Sequence, residues 1–208
     1  MQTALDPVQS SWLARARLAI RRARQGEPGD FALLKADLLG AYAAPALAPK
    51  LEGVRGYRPS IDLQTLSTYP ADSFGRAYAD WMVGRGLTPI VVSEDLSKIA
   101  ERNTFALRYA ITHDMVHVLT GFDTSLAGEI GVLAFATAQG YTPAQRVGLF
   151  FASLLYPLAK PWGIGGIWRA KAKGRRMGEA AVFLLGERLE DRFAEPLDKV
   201  RRDLSIVV

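Results

Sequence analysis

Apolar residues recur at helical spacing along most of this chain, strand signals are scarce, and glycine and proline cut the pattern into segments. That punctuation predicts a series of helices. The first covers 10–24, with Trp12, Ala16, Ala19 and Ile20 along one stripe, and Gly26, Pro28 and Gly29 stop it. Asp30 is placed to cap a second at 31–44, ahead of Pro45. Residues 53–70 read as a loop with a short helix near 63–66. A third long helix covers 73–85, and 88–92 is too short to carry a strand. Ser93 caps a long helical region at 94–120 that ends on Gly121. Thr124 or Ser125 caps the next helix, which runs to Gly140. Pro143 then starts an apolar helix at 144–158. Pro157, Pro161, Gly163, Gly165 and Gly166 break the pattern and leave a mobile-looking segment at 160–175. Helices at 179–186 and 187–202, the latter kinked at Pro196, close the chain. The expected fold is all-α, a single helical domain spanning 1–208.

The bulk numbers agree with an ordinary folded chain. It has 208 residues, 49% hydrophobic and 23% charged, enough for one buried core and too apolar for wholesale disorder. It contains no cysteine. Disulfides, thiolate nucleophiles, iron–sulfur clusters and cysteine zinc sites are therefore excluded. Basic residues outnumber acidic ones by 26 to 21, a net charge of +5. Five arginines (Arg15, Arg17, Arg21, Arg22, Arg24) face no acid between Val8 and Arg24, and Arg169, Lys171, Lys173, Arg175 and Arg176 form a second cluster. Such patches suit anionic lipid or nucleic acid. No basic–aromatic interleaving favours nucleic acid, so none is expected as a partner. Arginines interrupt the N-terminal stretch, which does not read as a signal peptide. The uncharged run 147–159 is too short to span a bilayer.

The chemistry concentrates in His113-Asp114-Met115-Val116-His117, followed by Glu129. These are the only two histidines. At about 100° per residue, His113 and His117 stand about 40° apart on a helix, and Asp114 about 60° from His117. Glu129 begins the next helix, and an antiparallel pair brings it back over the histidines. Two neutral imidazoles with carboxylates suit zinc, or ferrous iron in a two-histidine, one-carboxylate arrangement. The site is expected between the long central helix and the one after it. Three other histidine chemistries fit less well. A zinc protease needs glutamate directly after the first histidine, a His-Asp phosphohydrolase needs further histidines, and a di-metal carboxylate site needs two Glu-x-x-His units. The bland alternative is two ordinary core or surface histidines.

The stretch from Arg108 to Gly121, with its continuation to Glu129 and Gln139, resembles the signature of the ubiquinone (coenzyme Q) biosynthesis protein Coq-four family. Tyr69-Pro70 and Phe74-Gly75-Arg76-Ala77-Tyr78 are similar to its upstream segment. Arg192-Phe193 and the run from Pro196 to Ile206 resemble its closing helix. The likeness covers about 55–206. Ala194 stands near where many members carry an acid, and Pro196 interrupts the closing helix. The resemblance implies an all-helical fold, a zinc-type site held by His113, Asp114, His117 and Glu129, peripheral membrane association, and work on polyprenylated ring precursors. It also implies oxidative removal of the ring carboxylate of a polyprenylated hydroxybenzoate. The alternative it carries is a non-catalytic prenyl-lipid-binding scaffold with a structural metal, organising other quinone biosynthesis proteins.

Several further residues are expected to serve that function. Asp114 and His117 are the catalytic candidates, with Asp114 as general base if it is not a ligand. Arg108, Tyr109, Tyr78, Phe150 and Phe151 are substrate-binding candidates; a structural ion pair is the plainer role for Arg108. The apolar run 147–156 is either a core helix or the wall for a prenyl tail or membrane, with Pro161 and Trp162 as an interfacial end. Residues 1–28 read as a basic amphipathic helix, either a solvated face or a contact for anionic headgroups. Gly163-Ile164-Gly165-Gly166 reads as a hinge rather than a phosphate loop. A divalent metal is the expected cofactor, zinc first and iron as the alternative. Expected partners are a prenylated aromatic or isoprenoid lipid, a membrane surface, other quinone biosynthesis proteins and a second copy of the chain as a homodimer. The Ala-, Arg- and Gly-rich composition suggests a bacterial cytoplasmic protein on the inner face of the cytoplasmic membrane.

Overall fold

The structure, a computed structural model, describes residues 11–159 and 163–208. The expected start of the first helix at Ser10, and Pro161 and Trp162, lie outside the described residues. The α-helices are α1 (Trp12–Arg24), α2 (Pro28–Leu38), α3 (Ala48–Leu51), α4 (Leu63–Leu66), α5 (Phe74–Val83), α6 (Ser97–Arg102), α7 (Thr104–Thr120), α8 (Leu126–Ala138), α9 (Pro143–Ala159), α10 (Ile164–Ala180) and α11 (Leu197–Asp203). Among the described residues there is no strand, only an isolated antiparallel bridge between Ser73 and Pro196. The fold is all-α, as expected. The chain forms two compact units, one of residues 1–61 and 89–112, the other of 62–88 and 113–208.

In the first unit α1 and α2 form a hairpin. Gly26 makes the turn in the left-handed region (φ +75°), which glycine enters without steric penalty. Pro28 occupies the first turn of α2, where a missing N–H costs nothing. The helix therefore starts before Asp30, which is not its cap. The Asp30 carboxylate instead accepts the Ser93 backbone N–H at 2.7 Å. α2 ends at Leu38, short of the expected Ala44. The region 94–120 is not one helix either. Asn103 interrupts it: its side-chain oxygen accepts the Ala106 N–H and its amide donates to the Ala41 carbonyl. It thereby caps α7 at the point where α6 stops.

The charge centre of this unit is Asp37, whose side chain is 0% exposed. Arg15 donates to it at 2.9 Å, Arg102 at 2.7 Å and Tyr42 at 2.8 Å. A buried carboxylate needs such partners to offset its lost hydration.

The second unit is built on glycine. A Cβ on Gly174 of α10 would lie 2.0 Å from the Gly131 carbonyl oxygen of α8, and one on Gly178 would lie 2.4 Å from that of Phe135. The two helices thus meet backbone to backbone. Gln139, just past α8, ties the far end: its amide donates to the Gly178 and Ala181 carbonyls and its oxygen accepts the Leu184 N–H. These contacts explain why 164–180 is a continuous helix rather than a hinge. Gly163 is its N-cap residue, and Gly165 and Gly166 lie in its first turn.

The expected helix at 179–186 is a 3₁₀ turn at Leu184–Gly186. Pro196 does not kink a helix; it precedes α11, where its ring is tolerated. Around it, Phe74 N–H reaches the Glu195 carbonyl and Leu197 N–H the Asp72 carbonyl, both at 2.8 Å. α11 returns to the end of α7, where Arg201 donates to the Val118 and Leu119 carbonyls at 3.0 Å each. A helix end carries such unpaired carbonyls and is stabilised by a cation.

Two substitutions test these anchors by chemical denaturation. Asp37→Asn should cost about 3 kcal/mol, the low end for breaking a buried pair because Arg15 and Arg102 keep some contact with water. Gly174→Ala should cost about 2 kcal/mol or more, since backbone rather than a flexible side chain must move. A Gly174→Ala variant as stable as the parent would refute the close helix contact.

Candidate metal centre

His113 and His117 occupy consecutive turns of α7, so their rings lie one above the other, with centroids 4.9 Å apart and planes at 79°. After His117 the chain reverses sharply. Gly121 takes a left-handed conformation (φ +72°) and its N–H bonds the His117 carbonyl at 2.9 Å. Asp123 accepts the Ser125 N–H at 3.1 Å, and the Ser125 hydroxyl accepts the Gly128 N–H at 3.2 Å, capping α8. α8 presses into this turn. A Cβ on Gly128 would meet the Asp123 carbonyl at 1.9 Å, and one on Gly131 the Phe122 ring at 2.5 Å. Glu129 lies between these two glycines in the first turn of α8 and is carried back over the histidines.

The ligand atoms of His113, His117 and Glu129 all lie within 4.8 Å of one another. His117 Nε2 is 3.3 Å from His113 Nε2 and 3.4 Å from Glu129 Oε1, and His113 Nε2 is 3.7 Å from Glu129 Oε2. A tetrahedron with bonds of about 2.0–2.1 Å has edges of about 3.3–3.4 Å. The two imidazole nitrogens stand at such an edge length, and each has its own Glu129 oxygen near that distance, so a small shift of the carboxylate would fit a zinc- or iron-sized ion. His117 Nδ1 lies 3.1 Å from the Phe122 carbonyl oxygen. A carbonyl only accepts, so Nδ1 carries a proton in either charge state; Nε2 donates to Glu129 when the ring is charged and offers its lone pair when the ring is neutral.

Exposure is graded across the three. The His117 side chain is 1% exposed, His113 29% and Glu129 37%, so the cluster is approached from the His113–Glu129 side. Hydrogen bonds from His113 and then His117 hold the Glu129 carboxyl down at about 2. Burial works to lower the His117 pKa, but the Glu129 carboxylate and the Phe122 carbonyl together raise it. Burial pushes Asp114 up, against the pull of both imidazoles. Tyr78 is held well above the ordinary phenol range by burial first and then by Asp114 and Glu190.

Of the residues singled out from sequence, the structure brings His113, His117 and Glu129 together. Asp114 is close enough to influence both histidines but stands outside the ligand cluster. Tyr78 is 1% exposed and stacks on Phe193, with centroids 5.5 Å apart. Arg108 and Tyr109 belong to the first unit. Arg108 is fully buried, donates to the Tyr57 carbonyl at 3.3 Å and covers the Tyr57 ring; Tyr109 stacks on Phe105. Phe150 and Phe151 face outward on α9, more than half exposed.

One residue beyond those singled out from sequence joins the centre: the ring of Trp81, on α5, stacks on His117, with centroids 5.3 Å apart and planes at 26°. The signal that marks it is Arg85, one turn on: an aromatic and a cation at i, i+4 share a helix face.

The family model described as coenzyme Q (ubiquinone) biosynthesis protein Coq4 matches residues 57–208. The mitochondrial ubiquinone biosynthesis protein COQ4 homolog of Danio rerio is 26% identical over 166 residues, covering 75% of this chain and 57% of that protein. The corresponding mitochondrial homolog of Nematostella vectensis is 29% identical over 162 residues, covering 71% and 72%. The chain thus spans little more than half the length of the first of these relatives. A crystal structure described as a ubiquinone biosynthesis protein from Nostoc punctiforme PCC 73102 superposes with a TM-score of 0.66 at 24% identity. It covers 92% of this chain and 94% of that one, and it supports the helical fold. These relatives overturn the bacterial cytoplasmic location expected from composition, because the curated ones are mitochondrial. Ala, Arg and Gly content carries no address, which is why it misled. No helix among the described residues is long and apolar enough to cross a membrane.

Protein purified without chelator should carry close to one equivalent of a divalent transition metal by elemental analysis. His117→Ala and Glu129→Gln should each reduce it strongly. Less than about a tenth of an equivalent in the parent protein would rule out a site of the affinity such ligands give.

Proposed function

The chain belongs to the coenzyme Q (ubiquinone) biosynthesis protein Coq4 family, and on that premise we propose that it is a metal-dependent enzyme that oxidatively removes the ring carboxylate of a polyprenylated hydroxybenzoate. The convergence of His113, His117 and Glu129 carries this reading. Two imidazoles and one carboxylate leave coordination positions for a reactant, as catalytic sites do and closed structural sites do not. When bound, the metal would supply Lewis acidity toward the ring carboxylate or the adjacent phenolic oxygen; the carboxyl would leave as CO2, a hydroxyl from water would take its place, and dioxygen would accept the two electrons released, a step that favours iron because zinc has no redox chemistry.

The chain's own groups divide the remaining work. His113 and Glu129 hold the open edge, and His117 anchors the buried one. Asp114 lies on the same arc of α7 without joining the cluster, and it takes the role of moving a proton. The buried Tyr78 hydroxyl is close enough to feel its charge.

The greasy part of the substrate matches α9. Val147, Phe150, Phe151, Leu154 and Leu155 are each more than half exposed, an apolar face larger than a monomer ordinarily shows to water. Arg146 on α9 and Arg169, Arg175 and Arg176 on α10 add exposed cations. Covering the exposed halves of five such side chains is worth about 5 kcal/mol. We assign this face to a lipid surface carrying anionic headgroups, from which the prenylated substrate is drawn. The same face supports the second reading, a scaffold that docks other quinone biosynthesis proteins on lipid.

Turnover separates the two. Metal-loaded protein is given a prenylated 4-hydroxybenzoate in vesicles under air, and loss of the carboxyl group is followed by mass spectrometry. The parent should turn over. His117→Ala with an unchanged melting temperature should be slower by about 100-fold or more, the scale of several kcal/mol of lost Lewis acidity. A folded His117→Ala variant with full activity would refute the catalytic role. In co-sedimentation, Phe150→Ser/Phe151→Ser should weaken binding to vesicles containing phosphatidylserine by about tenfold or more; equal binding of parent and variant would refute the lipid face.

A further inference from the structure

We propose that Trp81 is a positioning residue for the metal centre, an aromatic wall that fixes the ring plane of His117. The proposal rests on the metal reading above and extends it to a third helix. Nδ1 donates to the Phe122 carbonyl, and Nε2 faces His113 and Glu129. These contacts lie along the ring's edges and leave it free to rock about the line through its two nitrogens. The stacked indole, 5.3 Å away and 26° from parallel, removes that freedom. With the edge and the plane both set, the Nε2 lone pair points at the place where His113 and Glu129 converge.

Trp81 is itself held. Arg85 donates from Nη1 to the Trp81 carbonyl at 3.1 Å, and its guanidinium carbon sits 4.4 Å from the indole centroid. The Ser125 hydroxyl first, and the charge of Arg85 after it, lower the Asp123 carboxyl in the turn before α8. The neighbouring α5 residues Tyr78 and Met82 are buried, so the helix cannot roll to take Trp81 away.

Cobalt(II) is the probe, titrated calorimetrically and followed by its visible d–d bands, with circular dichroism melting as the control for folding. Trp81→Leu should weaken cobalt binding by about tenfold or more, the scale on which outer contacts to a metal ligand act, and should shift the bands. Trp81→Phe keeps an aromatic plane and should restore affinity to within about threefold of the parent. A folded Trp81→Leu variant with parental affinity and band positions overturns the proposal and leaves the metal reading standing. No cobalt binding by the parent overturns both. Should Trp81→Leu fail to fold, Arg85→Ala decides: it should weaken cobalt binding by about threefold through a looser indole, and parental affinity would overturn the proposal.

Discussion

The second unit depends on a helix crossing that leaves no room for a Cβ. α8 is pressed on one side into the turn that precedes it, through Gly128 and Gly131, and on the other against α10, through Gly174 and Gly178. Each of those four positions brings backbone or ring atoms within 2.6 Å of where a side chain would begin. Dispersion contacts are weak one by one and fall away steeply with separation, so so close an approach yields many at once. It also fixes rotation. A helix locked on two sides cannot turn about its axis, and Glu129 is delivered to the histidines by that lock rather than by any contact of its own.

The rest of the centre follows from local rules. Four-residue spacing stacks the two imidazoles, a left-handed glycine reverses the chain, and a serine cap starts the next helix in register. Electrostatics then grades the site from its buried end at His117 to its open end at Glu129. The structural charges of the first unit obey a different logic. Asp37 is wholly buried and surrounded by two arginines and a phenol, a satisfied arrangement with no coordination left to offer.

Much of this was legible in the sequence because it is encoded locally. The His-x-x-x-His spacing, the Gly121 stop, the Ser125 cap and the apolar helix expected at 144–158 all follow from residues close in the chain. What escaped depends on partners far along it. Asn103 reads as an ordinary helical residue until Ala41 is there to receive its amide. Gly163, Gly165 and Gly166 look like a hinge until Gly174 and Gly178 of the same helix are seen packed backbone to backbone on α8. Asp30 looks like a cap until Pro28 starts its helix earlier and Ser93 claims its carboxylate. Trp81 is one apolar residue of α5 in the sequence, and only the fold sets its ring on His117.

One contact reaches beyond chemistry at the centre. His117 is oriented by the carbonyl of Phe122, which belongs to the reversal between α7 and α8 and exists only once that hairpin has closed. A cation held here binds the closed hairpin and has little to hold on the open chain. Occupancy and folding are then a single equilibrium, with closure favoured in proportion to the logarithm of free metal over its dissociation constant. Were the triad to hold a cation, the hairpin would open more often wherever that cation is scarce, and what is open is what proteases cut.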